Sequence, residues 1–128
     1  MDIAKALKMI EKAQTKANEF GASMAFSVFD ASREPVFFYR MDGTENLSAK
    51  LASAKALTAL KIGADTEQVA YLVKKDTGLL RNIRYETEIS LIGGGKLIFD
   101  NETLIGAIGV SGGSEDEDIA VASAAISN

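Results

Sequence analysis

The sequence contains no cysteine, no histidine and no tryptophan, and only one proline in 128 residues. Without cysteine there is no disulfide framework, no thiol nucleophile and no thiolate-held zinc or iron–sulfur site. Without histidine the chain lacks the commonest metal ligand, the usual general base near neutral pH and the imidazole that most often holds haem iron. It also has no excess of positive charge. Lys and Arg total 14 against 18 for Asp and Glu, a formal net charge of −4, which argues against a sequence-independent nucleic-acid binder. No apolar run approaches the roughly 20 residues of a membrane-spanning helix. The N-terminal stretch MDIAKALKMIEKAQTK is charged throughout and has no uninterrupted apolar segment of the signal-peptide kind. These absences predict a cytoplasmic protein with no membrane and no nucleic-acid partner.

What is present is the composition of a globular domain: 47% hydrophobic and 25% charged residues. The length predicts one domain spanning 1–128. Size scaling gives such a chain a folded surface of roughly 6,600 Å² against roughly 19,700 Å² unfolded, enough burial for a core without covalent staples.

Ile3, Leu7, Ile10, Ala13, Ala17 and Phe20 recur at three- and four-residue spacing, which predicts an amphipathic helix over 2–20 stopped at Gly21. Residues 22–30 and 35–41, rich in aromatic and β-branched side chains, read as a hairpin around a polar tetrapeptide that ends at Pro35. In its second strand Phe37, Tyr39 and Met41 share one face, and Val36, Phe38, Arg40 and Asp42 the other. A second helix is predicted over 46–62 and a third from the Asp65–Gln68 cap signal to about Lys75. Residues 76–88 read as mixed, with a short helical turn. Strands are predicted at 89–92, 96–99 and 103–111, the last two joined by a turn at Asp100–Glu102. A final helix over 115–126 carries capping-box spacing between Ser114 and Glu117. Short turns between strand pairs make the sheet mainly antiparallel, so the fold class is α+β, a sheet covered by helices.

Three local motifs have functional and structural readings. Gly109-Val110-Ser111-Gly112-Gly113 has the pattern of a nucleophile elbow, but the chain has no histidine to serve as its base. The favoured reading is structural: small residues let the end of a strand turn tightly into a helix. Gly93-Gly94-Gly95-Lys96 lacks the Ser or Thr and the following helix of a phosphate-binding loop, and reads as a glycine turn at a strand entry. The acidic run Glu115–Asp118 fits the partially positive first turn of a helix better than a cation site, so no metal site is predicted.

The 46–62 helix is apolar on nearly all sides, which predicts burial on more than one side, with a neighbouring subunit as one cover. Lys55 stands off the Lys50/Lys61 stripe among apolar neighbours. It reads either as a snorkelling lysine or as one aimed at a pocket or paired with a carboxylate. Arg40 and Asp42 read as a surface pair or as two groups addressing one ligand.

Together these pieces resemble the GlcG/HbpS family, which includes the C-terminal domain of PduO-type proteins. The resemblance rests on Phe20-Gly21, Val28-Phe29-Asp30, Phe38 to Gly43, Ala54 to Ala59, Gly93 to Gly95, Gly106 to Gly113 and Asp118, and spans the chain. It implies a profilin-like fold with a five-stranded antiparallel sheet and helices on both faces. It implies homo-oligomers, from dimers to octamers, and links to haem, corrinoid, glycolate or diol metabolism. A histidine-ligated haem cannot be carried over to this sequence. The remaining iron donors considered are Met24, Met41, Tyr39 and Tyr85.

The expected function is therefore an oligomeric small-ligand-binding or accessory protein, with no catalytic residue assigned. Its expected ligand site comprises Arg40, Asp42, Lys55, Gly94, Gly95, Gly109, Ser111 and Gly112, with a small carboxylate as the ligand. No cofactor is assigned from the residues; haem or corrinoid is implied by the resemblance alone. Two alternatives are a haem- or corrinoid-binding protein, and an enzyme in which Lys55, with a carboxylate such as Asp42, acts as a base or Schiff-base former on a small carbonyl or carboxylate compound.

Overall fold

A computed structural model describes residues 1–83 and 89–128. Helix α1 (Ile3–Glu19) opens on Asp2, whose Oδ1 accepts the Lys5 N–H at 2.8 Å. Strands β1 (Ala25–Asp30) and β2 (Pro35–Arg40) form the expected hairpin. Asp30 Oδ1 organises its turn by accepting the N–H groups of Ser32 and Glu34. Then come α2 (Asn46–Ile62), α3 (Thr66–Lys75), α4 (Thr77–Ile83), β3 (Gly95–Asp100), β4 (Thr103–Ser111) and α5 (Glu115–Ile126). Ser114 and Glu117 form the reciprocal capping box that their spacing predicts.

The sheet is antiparallel throughout, in the order β2-β1-β4-β3. Among the described residues it has four strands, not the five expected. The predicted strand at 89–92 does not form. Within it the Ser90 N–H reaches Thr58 Oγ1 on α2 at 2.8 Å and the Ile92 N–H turns back to Ser90 Oγ at 3.4 Å; just after it the Gly93 N–H reaches Glu115 Oε2 on α5 at 2.7 Å. Side-chain acceptors thus hold the segment along the helices. Of the mixed stretch 76–88, residues 77–83 are the helix α4, and 84–88 lie outside the described residues.

Alternation along the strands sorts the core into two layers. Met24, Phe26, Val28, Ile98, Ile108 and Val110 pack with α1 and α5 on one face. Phe29 and Ala107 pack with Ala56, Leu57, Ala59 and Leu60 of α2 on the other. Helices α3 and α4 form a satellite cluster through Val69, Val73 and Ile83. The accessible surface of the described chain, 6951 Å², is close to the value expected from its mass.

The apolar girdle of α2 has a different cover from the one expected for its alanine-rich side. Ala52, Ala56 and Ala59 are fully buried against this chain's own sheet. The exposed apolar surface of the helix lies at its N-terminal end, where Leu47 is 63% exposed. At α3 the cap signal marks the helix start, but the Asp65 side chain does not cap it. Asp65 Oδ1 instead accepts the Leu97 N–H of β3 at 2.9 Å, tying the helix to the edge of the sheet.

Candidate functional site

Lys55 enters from α2 and Asp118 from α5, helices on opposite faces of the sheet. Their side chains meet at 2.9 Å. The Lys55 ammonium also donates to the Val110 carbonyl at 2.9 Å, while Asp118 Oδ1 accepts the Gly113 N–H at 2.9 Å. Both side chains are almost fully buried, at 2% and 4% exposure. Burial pushes the Asp118 carboxyl above the usual aspartate range; the hydrogen bond and charge of Lys55 oppose that shift without cancelling it.

The glycines around this pair are explained by close approach. A Cβ on Gly94 would stand 2.6 Å from the Val110 oxygen and 3.0 Å from the Lys55 ammonium. A Cβ on Gly95 would collide with the Lys55 carbonyl, and one on Gly109 with the Ala52 carbonyl, because the α2 backbone lies directly on β3 and β4 there. Gly95 and Gly109 are register partners, so together they form the bed of the helix. Ser111 is buried at the end of β4, opposite Ala25. The strand–turn–helix context of Ser111 is present, and Gly112 follows with φ 134°, a conformation that favours glycine.

The eight expected ligand-site residues thus separate into two groups. Lys55, Gly94, Gly95, Gly109, Ser111 and Gly112 belong to the buried junction and its adjoining turn. Arg40 and Asp42 are exposed. Arg40 ends β2, whereas Asp42 has left the strand for a turn closed by the Thr44 N–H on the Met41 carbonyl. The strand alternation that paired Arg40 with Asp42 therefore stops one residue early. Neither side chain has a hydrogen-bond or ion-pair partner among the described residues.

Asp118 is the residue that the motif reading left unpaired with Lys55. The sequence carried a signal for it. Asp118, Val121, Ala122 and Asp118+7, which is Ala125, follow helical spacing, and all four are buried. A carboxylate on an otherwise apolar stripe needs a buried partner.

An open groove of about 750 Å³ lies beside α2, lined by Phe38, Asn46, Ala49, Lys50, Leu51, Ser53, Ala54 and Ile89. Phe38 is 47% exposed. Arg40 lies two residues along the same face of the edge strand β2.

Of the donors considered for haem iron, the three among the described residues do not fit an axial ligand. Met24 and Met41 are buried in the core, and the Met24 N–H contacts Met41 Sδ at 3.4 Å. Tyr39 stacks on Phe26 with ring centroids 6.2 Å apart, and its hydroxyl is 3.5 Å from Gln14 Nε2. Tyr85 lies outside the described residues. Among the described residues no group of three acidic, histidine or cysteine side chains could hold a metal ion, and no helix is long and apolar enough to cross a membrane.

The chain belongs to the HbpS-like family, whose model, described as "Haem degrading protein HbpS-like", matches residues 1–127. It is 30% identical over 125 residues to an uncharacterised 15.0 kDa protein from the dhaT–dhaS intergenic region of Citrobacter freundii, covering 97% of this chain and 88% of that protein. It is 27% identical over 120 residues to the corrinoid adenosyltransferase PduO of Citrobacter freundii. That match covers 93% of this chain but only 36% of PduO. Among solved structures, the crystal structure of the PduOC–haem complex is similar at a TM-score of 0.90 and 26% identity, covering 98% of this chain and 92% of that one.

Proposed function

We propose that this member of the HbpS-like family is a homo-oligomeric, non-catalytic binding protein, accessory to tetrapyrrole- or corrinoid-linked metabolism. We further propose that its ligand carries a carboxylate and docks where Arg40 meets the groove between β2 and α2. The observation that carries this reading is exposed apolar surface at the groove, where Phe38 is 47% exposed, with Leu47 of α2 63% exposed nearby, beside an edge strand and an arginine unpaired among the described residues. An apolar patch at a strand edge favours association, and a free guanidinium is suited to a carboxylate. The haem complex of PduOC and the similarity to PduO support a tetrapyrrole with propionate groups as the ligand class. None of Met24, Met41 and Tyr39 is placed as an axial donor, which favours recognition by carboxylate and apolar face over ligation through iron.

The buried junction contributes the frame. The Lys55 ammonium is engaged by Asp118 and by the Val110 carbonyl, which disfavours its use as a base or Schiff-base nucleophile in this conformation. In this reading the glycines at 94, 95, 109 and 112, with Ser111, shape the end of the sheet from which Arg40 projects.

Sedimentation equilibrium of the parent protein and of Phe38→Asp tests the assembly. The expected result is an oligomer that Phe38→Asp dissociates. A monomer at micromolar concentration for the parent overturns it. Native mass spectrometry of protein purified from its own host tests the ligand. A retained carboxylate-bearing molecule lost in Arg40→Ala supports the reading, and retention unchanged in that variant rejects the Arg40 site.

A further inference from the structure

On the far side of the molecule, a cleft of about 830 Å³ opens between α1, the edge strand β3 and the C-terminal end of α5. That volume falls within the range of small-molecule sites. Lys5, Lys8 and Lys12 line it, and their three- and four-residue spacing places them on one stripe of α1. Below and beside them lie Met9, Phe99 and Ile126. Phe99 is an aromatic ring 53% exposed on a short edge strand, a placement that favours a covering partner or ligand.

The charges in the cleft are unequal. Lys5 lies 3.9 Å from the Asp100 carboxylate, both partly exposed. Lys12 donates to the Ser127 carbonyl at 2.6 Å, which leaves its charge uncompensated. Lys8 has no hydrogen-bond or ion-pair partner among the described residues. Of the three lysines, Lys8 is thus the one without a partner among the described residues, although Asp2 and Asp100 also line the cleft. An unpartnered ammonium beside the apolar side chains of Met9, Phe99 and Ile126 matches a carboxylate-headed amphiphile. It does not match a phosphate-rich polyanion, which requires several cations and which two carboxylates would repel.

We infer that the α1–β3–α5 cleft binds an amphipathic carboxylate, its head on the Lys8 end of the lysine stripe and its apolar body against Met9, Phe99 and Ile126. The site lies on the α1/α5 side of the sheet, away from the β2–α2 groove, and the inference does not rest on the function proposed above. Two sources carry this chemistry: an acyl chain, or a tetrapyrrole presenting a propionate.

The test titrates the full chain with decanoate, with metal-free protoporphyrin IX and with decanol, following chemical shifts of the cleft residues. Saturable binding of decanoate at one per chain is expected, with decanol much weaker. Lys8→Glu, an exposed substitution, is expected to weaken decanoate about tenfold, since it replaces an attraction with a repulsion. Lys74→Glu, the same charge change at an exposed position on α3, is expected to leave it unchanged. Protoporphyrin binding with the same Lys8 dependence, and none for decanoate, would assign the carboxylate to a tetrapyrrole and would equally support the site. No saturation by either carboxylate overturns the inference. So does binding unaffected by Lys8→Glu in a variant that keeps the parent circular-dichroism spectrum, or decanol binding as tight as decanoate.

Discussion

Lys55 and Asp118, 63 positions apart in the chain, join the helical layers on the two sides of the sheet at 2.9 Å. The junction passes the end of the β3–β4 pair where Gly94 and Gly95 leave room for it. Desolvation, the largest influence on Asp118, raises its pKa, and a buried ion pair is in general a weak net source of stability. Its contribution is to hold α5 and α2 in one relative position, so that any alternative packing leaves a charge stranded.

Removing one partner should therefore be far worse than removing both. Asp118→Ala and Lys55→Ala are each expected to lower stability by about 3–5 kcal/mol, since each leaves an uncompensated buried group. The double variant Lys55→Met/Asp118→Leu should lie close to the parent or above it. Urea unfolding of the four proteins measures this. Additive losses in the double variant would disprove the coupling.

The raised Asp118 pKa also sets a pH dependence. A carboxyl whose folded pKa exceeds its unfolded value holds its proton longer in the folded state. Its contribution to stability is then full below the unfolded pKa, near about 4, and declines as pH rises through the folded value. The stability of the parent relative to Asp118→Asn is accordingly expected to fall as pH rises above about 4 and then level off. Denaturant melts of both proteins across that range check the sign, and a difference that grows with pH contradicts the assignment.

Gly109 and Ser111 should respond in opposite ways although both belong to one sequence motif. Gly109→Ala places a methyl group into the Ala52 carbonyl and is expected to cost about 3 kcal/mol or to prevent folding. Ser111→Ala should stay within about 1 kcal/mol of the parent and leave ligand binding intact. Thermal melts alongside a binding assay separate the two. Loss of an activity in Ser111→Ala with the fold preserved would restore the nucleophile reading.

Haemin bound through its propionates should lack the spectral features of a histidine-ligated site, because the chain has no imidazole. Tyr39→Phe should not change the titration, since that phenol packs against Phe26 in the partly buried layer. A sharp one-to-one Soret transition abolished by Tyr39→Phe or by Tyr85→Phe would show tyrosine ligation instead.

Periodicity alone determined much of this protein. The three-and-four spacing of α1, the alternation in β2 and the Ser114–Glu117 cap each depend on residues close in sequence, so local chemistry is sufficient to specify them. The excluded chemistries also follow from composition, because a side chain that is absent cannot act. The tertiary structure decided three things that spacing does not encode. It held the stretch from Ser90 to Gly93 against helices, because Thr58 and Glu115 supply acceptors from distant parts of the chain. It turned the alanine-rich side of α2 onto this chain's own sheet, because Gly95 and Gly109 let the helix backbone settle on β3 and β4. It matched Lys55 with Asp118 rather than with the nearer Asp42. A buried charge takes the carboxylate that packing brings within 3 Å, and sequence separation places no limit on which one that is.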